Sequence, residues 1–116
     1  MKSSELITGI LETYQKYGWQ LRRVLLRPET RAELEQLSLP LAPEEIVDST
    51  VDGLWFSRSS HNNREAWELR LLAENPFALF ETFELDETEE QREEMRQEME
   101  ARLREHVNQE PVKSEE

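Results

Sequence analysis

Two histidines, no cysteine and 26 carboxylates bound the chemistry open to this chain of 116 residues. His61 beside Ser59 and Ser60 is the one place where a base neighbours hydroxyls. A hydrolase needs its nucleophile next to a base that a third group orients. Neighbours in an all-polar stretch do not supply that arrangement, and no Gly-x-Ser-x-Gly elbow occurs, so residues 57–64 read as a solvated loop and no catalytic residue is assigned. His106 lies far along the chain. Neither a His-Glu-x-x-His pair nor an Asp-x-Asp-x-Asp-Gly loop is present, Asp48 and Asp52 read as turn residues, and no metal is expected. Without cysteine there are no disulfides, thiolate sites or thiol nucleophiles. Glu68 and Glu81 fall on adjacent strands and could project together, although Arg64 and Arg70 nearby make a solvated charged face the simpler reading. Glycine occurs only at 9, 18 and 53, which leaves no Gly-rich phosphate loop and no expected cofactor.

Two constellations remain. Arg22, Arg23, Arg27 and Arg31 form the basic concentration of an otherwise acidic chain. Pairing with acids, including those of the C-terminal helix, accounts for them. In a second reading, Arg22, Arg23 or Arg70 anchors an anionic ligand beside Trp55 or Trp67, in a pocket between sheet and helices. Met95, Met99, Leu103 and Val107 recur every four residues and make a narrow apolar stripe. It can dock on its own sheet, on a second copy of the chain or on another protein, and methionine suits irregular surfaces.

Charge narrows the partners. The net charge is −12, with 13 acids and 5 bases in residues 84–116 against 13 acids and 9 bases in residues 1–83. Such a balance repels nucleic acid and anionic membranes, and neither is expected as a partner. No apolar run approaches a membrane span, the first ten residues do not resemble a signal peptide, and the cysteine-free composition fits a cytoplasmic protein.

The elements that must position these residues follow from periodicity. Residues 3–17 read as a helix with Leu6, Ile7, Ile10, Leu11 and Tyr14 on one face and Gly18 as its left-handed stop. Residues 19–26 read as a strand with Trp19, Leu21, Arg23 and Leu25 on one face and Gln20, Arg22, Val24 and Leu26 on the other. Residues 28–37 open on a proline and make a short helix, and the two prolines of 38–43 make an extended connector. Residues 46–84 predict an antiparallel meander. Asp52-Gly53 is a strong type I′ hairpin signal, with Val51 facing Leu54, Thr50 facing Trp55 and Ser49 facing Phe56; a helical turn over 43–48 competes with its first strand. Residues 64–72 alternate as a strand, with a helix as the competing assignment, and residues 77–84 form the last strand. A long acidic helix over 86–108 carries two candidate capping boxes, Thr88 with Gln91 and Asp86 with Glu89.

The prediction is an α+β fold of order α-β-α-β-β-β-β-α. Its mainly antiparallel sheet is packed by an N-terminal helix and by a long acidic C-terminal helix. Residues 1–108 form one domain and residues 109–116 a disordered acidic tail. With no catalytic signature and more apolar strand surface than two helices obviously cover, the expected function is non-enzymatic: an adaptor or chaperone-like module that binds a protein partner or forms a homodimer. The alternative is a small ligand-binding or enzymatic domain built on the arginine–tryptophan pocket.

Overall fold

The structure, a computed structural model, describes residues 3–37 and 45–109. Helix α1 is Ser3–Lys16 and α2 is Pro28–Leu37; the strands are β1 Gln20–Leu26, β2 Glu45–Asp48, β3 Gly53–Ser59, β4 Glu65–Leu71 and β5 Ala78–Phe83; α3 is Glu89–Gln109. The element order is the one expected from periodicity. Gly18 ends α1 at φ 86°, and the Trp19 N–H donates to Tyr14 O at 3.0 Å while Gly18 N–H donates to Gln15 O at 3.0 Å. Those two bonds satisfy the last carbonyls of the helix in the way a left-handed glycine allows. At the other end of the chain, the Thr88–Gln91 capping box closes in both directions, 3.1 Å from Gln91 N to Thr88 Oγ1 and 2.9 Å from Thr88 N to Gln91 Oε1. Helix α3 starts there rather than at Asp86, and it runs through Gln109, which the sequence had assigned to the tail. The 38–43 connector and the remainder of the tail lie outside the described residues.

The five strands form one mixed, mostly antiparallel sheet in the order β2-β1-β3-β4-β5. Strands β3, β4 and β5 make the expected meander, with Asn62 and Asn63 taking left-handed φ of 60° and 62° between β3 and β4. The expected hairpin at Asp52-Gly53 does not form. Strand β2 pairs in parallel with β1, and β1 stands between β2 and β3, so that Leu25 has Val47 on one side and Gly53 on the other. Residues 49–52 instead step over the end of β1, where Ser49 N–H donates to Leu26 O at 2.9 Å.

Both residues of the supposed turn have other tasks. Asp52 is buried at the N-terminus of α2 and accepts from the Arg27 N–H at 2.8 Å, from Arg27 Nε at 3.1 Å and from Thr30 Oγ1 at 2.8 Å. A carboxylate there complements the helix dipole. Gly53 opens β3 without a positive φ, and a Cβ on it would stand 3.1 Å from Leu103 Cδ2 and 3.3 Å from Leu69 Cδ1. Its bare backbone lets α3 approach the sheet closely.

Helices cover both faces of the sheet. Ile7 and Ile10 of α1 and Leu34 of α2 pack on Val24, Leu26, Leu54 and Phe56, with Leu6, Leu11 and Tyr14 partly buried beside them. On the other face, Met99 and Leu103 of α3 pack on Leu25, Trp55, Trp67, Leu69, Leu71 and Phe83. Because the hairpin is absent, Val47 and Val51 join this second cluster rather than sharing a face with Leu54 and Phe56.

Candidate functional site

A β-bulge organises a polar cleft between the sheet and α3. Leu21 pairs with Phe56 and Arg23 pairs with Trp55, which leaves Arg22 as the extra residue of β1. Such a residue breaks strict alternation. Leu21 packs on the α1 side with Val24, and Arg22 turns to the α3 side with Arg23. The simple alternation expected for β1 had put the two arginines on opposite faces.

Helix α3 meets this doublet with Arg92 and Arg96, one turn apart on the face it presents to the sheet. The four arginines, together with Trp67, Glu65 and Glu89, line a cleft of about 250 Å³. Arg23 pairs with Glu100 at 3.1 Å and with Glu93 at 3.4 Å, and Arg92 with Glu65 at 3.0 Å. Arg96 pairs with Glu93 at 2.9 Å and also with Glu89. The Arg96 guanidinium lies 4.6 Å from the centroid of the Trp67 ring and that of Arg22 lies 5.8 Å from it, so two cations share one indole. Burial opposes the charge on Glu93, but hydrogen bonds from Gln97 and Arg96 and the charge of Arg23 outweigh it and hold its carboxyl below the usual range.

Of the residues expected in an anionic-ligand pocket, Arg22, Arg23 and Trp67 therefore meet along one cleft. Trp55 lies fully buried, its Nε1 donating to Glu100 Oε2 at 2.8 Å. Arg70 sits on the opposite face, beside Leu6, Gly9 and Tyr14 of α1. Arg92 and Arg96 were missed as site residues, although they share the four-residue spacing of Met95, Met99, Leu103 and Val107. Of that stripe, Met99 and Leu103 are buried on the sheet and Met95 and Val107 pack beside them. On the outer face of the helix Glu98 pairs with Arg102 at 3.0 Å, whereas Glu100 is buried and turned toward Trp55 and Arg23.

The second candidate surface lies on the α1 side of β4 and β5, where the helices stop short. Phe80 is 57% exposed and Tyr17 60% exposed. Between them, Thr13, Tyr14, Tyr17, Trp19, Arg58 and Glu68 line a groove of about 400 Å³. Tyr14 stacks on Phe56 at 4.0 Å and donates its hydroxyl to Glu68. Burial and that bond push the Tyr14 phenol well above its ordinary range. Trp19 meets Phe80 edge to face at 6.4 Å. Glu68 and Glu81 do not project together, since Glu68 is opposite Phe80 while Glu81 is opposite Trp67 on the other face. His61, Ser59 and Ser60 are exposed at the β3–β4 turn.

Among the described residues no three His, Asp or Glu side chains converge as a metal-holding group, and no helix is long and apolar enough to cross a membrane. The chain matches no protein-family model, no curated protein and no solved structure.

Proposed function

We propose that this chain is a non-enzymatic protein-interaction module, adaptor or chaperone-like, that pairs with a second copy of itself through the outer edge of β5. The proposal is for a cytoplasmic protein, in keeping with its cysteine-free composition. The observation that carries the pairing is the character of β5. It is an edge strand of six residues, Ala-Leu-Phe-Glu-Thr-Phe, in unbroken register with β4. Natural edges are commonly blunted by lysine, proline or a bulge, because an open edge offers its backbone groups to another strand. Residues 78–83 contain no lysine and no proline, and their pairing with β4 shows no bulge.

A second copy fits because the strand is self-complementary. Two antiparallel β5 strands centred on Phe80 set Ala78 opposite Thr82 and Leu79 opposite Glu81. The two Phe80 rings then meet on the face that the helices leave open, and no two glutamates stand directly opposite. One such strand pair is a small interface, so the dimer forms with concentration rather than being permanent. Amide hydrogen exchange on dilute and concentrated samples tests it. The β5 amides are expected to gain protection with concentration while those of β3 do not change. Equal exchange of β5 at both concentrations would rule the pairing out.

A further inference from the structure

The arginine cleft has no part in that pairing. We propose that it binds a compact dianion, a dicarboxylate or a phosphate group, on Arg22, Arg92 and Arg96, and that the ligand displaces Glu89 from Arg96.

The first support is that the cleft runs against the composition of the chain. In a protein of net charge −12, four of the eleven arginines line one concavity, with Glu65 and Glu89 in its lining while Glu93 and Glu100 pair with Arg23 and Arg96 from outside it. Guanidinium forks match carboxylate and phosphate oxygens in bidentate geometry, and a low-dielectric wall such as the Trp67 ring strengthens the attraction.

The second is the way the arginines are held. Arg96 is 5% exposed and is fixed from behind by Glu93 at 2.9 Å. Arg92 is fixed by Glu65 and by the Glu84 carbonyl at 2.8 Å, yet its Nε is buried with no hydrogen-bond partner among the described residues. The bulge adds Arg22 over the same indole. The cations are thus positioned before any ligand arrives, which lowers the ordering cost of binding.

The third is Glu89. It is the first residue of α3, its side chain is 77% exposed, and it meets Arg96 two turns further along the helix. The Arg23–Glu100 and Arg92–Glu65 pairs already tie α3 to the sheet without it. An exposed carboxylate laid on a buried guanidinium at the mouth of a polar cleft occupies the place an external carboxylate or phosphate oxygen would take.

Calorimetric titration of the full chain at low salt, with inorganic phosphate, with succinate and with acetate, tests the assignment. Saturable binding of phosphate or succinate, with acetate weaker, is expected, and whichever of the two binds tells phosphate from dicarboxylate. Arg22→Gln should weaken binding by about tenfold, in line with the loss of one charged hydrogen-bonding group. Glu89→Gln should strengthen it, because the internal competitor loses its charge. Glu89 is exposed, so this variant stays informative even where Arg22→Gln disturbs the strand. No saturable binding of phosphate or succinate to the wild-type chain would overturn the proposal, and so would binding that Glu89→Gln leaves unchanged.

Discussion

Asp52 shows how one side chain can redirect a strand connection. Its carboxylate is an acceptor for the first turn of α2 and a partner for Arg27, whose pairing at 3.0 Å spans 25 residues of sequence. Asp52→Ala is expected to cost about 2 kcal/mol in denaturant unfolding, as lost hydrogen bonds to charged groups do; a loss inside the ordinary surface range of about 0.5 kcal/mol would contradict the role. Tyr14 supports a second prediction. Its raised pKa means that the folded chain holds the phenolic proton more tightly than the unfolded chain does, so the contribution is full below the ordinary tyrosine value and is lost as pH rises beyond it. Alkaline absorbance titration should show one late-ionising tyrosine, and Tyr14→Phe should remove it. Neither role was legible in the sequence. Asp-Gly is a local signal, and its competitor is the non-local placement of β1 between β2 and β3. The bulge at Arg22 carries no glycine and no other mark, so alternation misassigned its face. Tryptophan and arginine types did point to the cleft, and the bulge is what brought Arg22 to it.

Among the elements, α3 shows how a helix with few apolar residues can close a core. Its sheet-facing positions mix Arg92, Arg96 and Glu100 with Met99 and Leu103. Periodicity displayed the apolar members at once, and the arginines of β1 were expected to pair with acids of this helix, as Arg23 does, but nothing marked Arg92, Arg96 and Glu100 for burial, since charged groups are seldom buried unless paired. Here they are paired: Arg96 with Glu89 and Glu93 of its own helix, Arg92 with Glu65 of β4, and Glu100 with Arg23 of β1 and Trp55 of β3, sheet partners that no local pattern reveals. Leu103→Ala should destabilise the chain by about 3 kcal/mol, the usual cost of emptying a buried leucine site. A chain ending at Glu84 should be insoluble, since it would bare Trp55, Trp67, Leu69 and Phe83; a soluble, folded product would contradict the place of α3 in the core. Glu93 gives the docking a pH dependence. Its folded pKa lies below the unfolded one, so its contribution is present at neutral pH and is lost as pH falls from the ordinary carboxylate range through the depressed value. Wild type and Glu93→Gln should therefore differ in stability at neutral pH and converge in acid, as read by thermal unfolding across pH.

At the scale of the whole molecule, the element order was readable because each segment carries its own period, its own stop signal or its own cap. The sheet order was not, since a parallel β2 beside β1 is a pairing between distant segments that hydrophobic alternation does not encode. The same limit applies to association. A net charge of −12 opposes contact between copies, and salt screens that repulsion, so the dimer should strengthen with ionic strength even though each chain is unchanged. Light scattering over a concentration series, in low and in high salt, for the wild-type chain and for Phe80→Lys, is the most direct measurement. The expected result is a monomer at low concentration, a dimer that grows with concentration and with salt, and a Phe80→Lys chain that keeps its fold but remains monomeric. A wild-type chain that stays monomeric in high salt at the highest concentration, or a Phe80→Lys chain that dimerises as the wild type does, would contradict it.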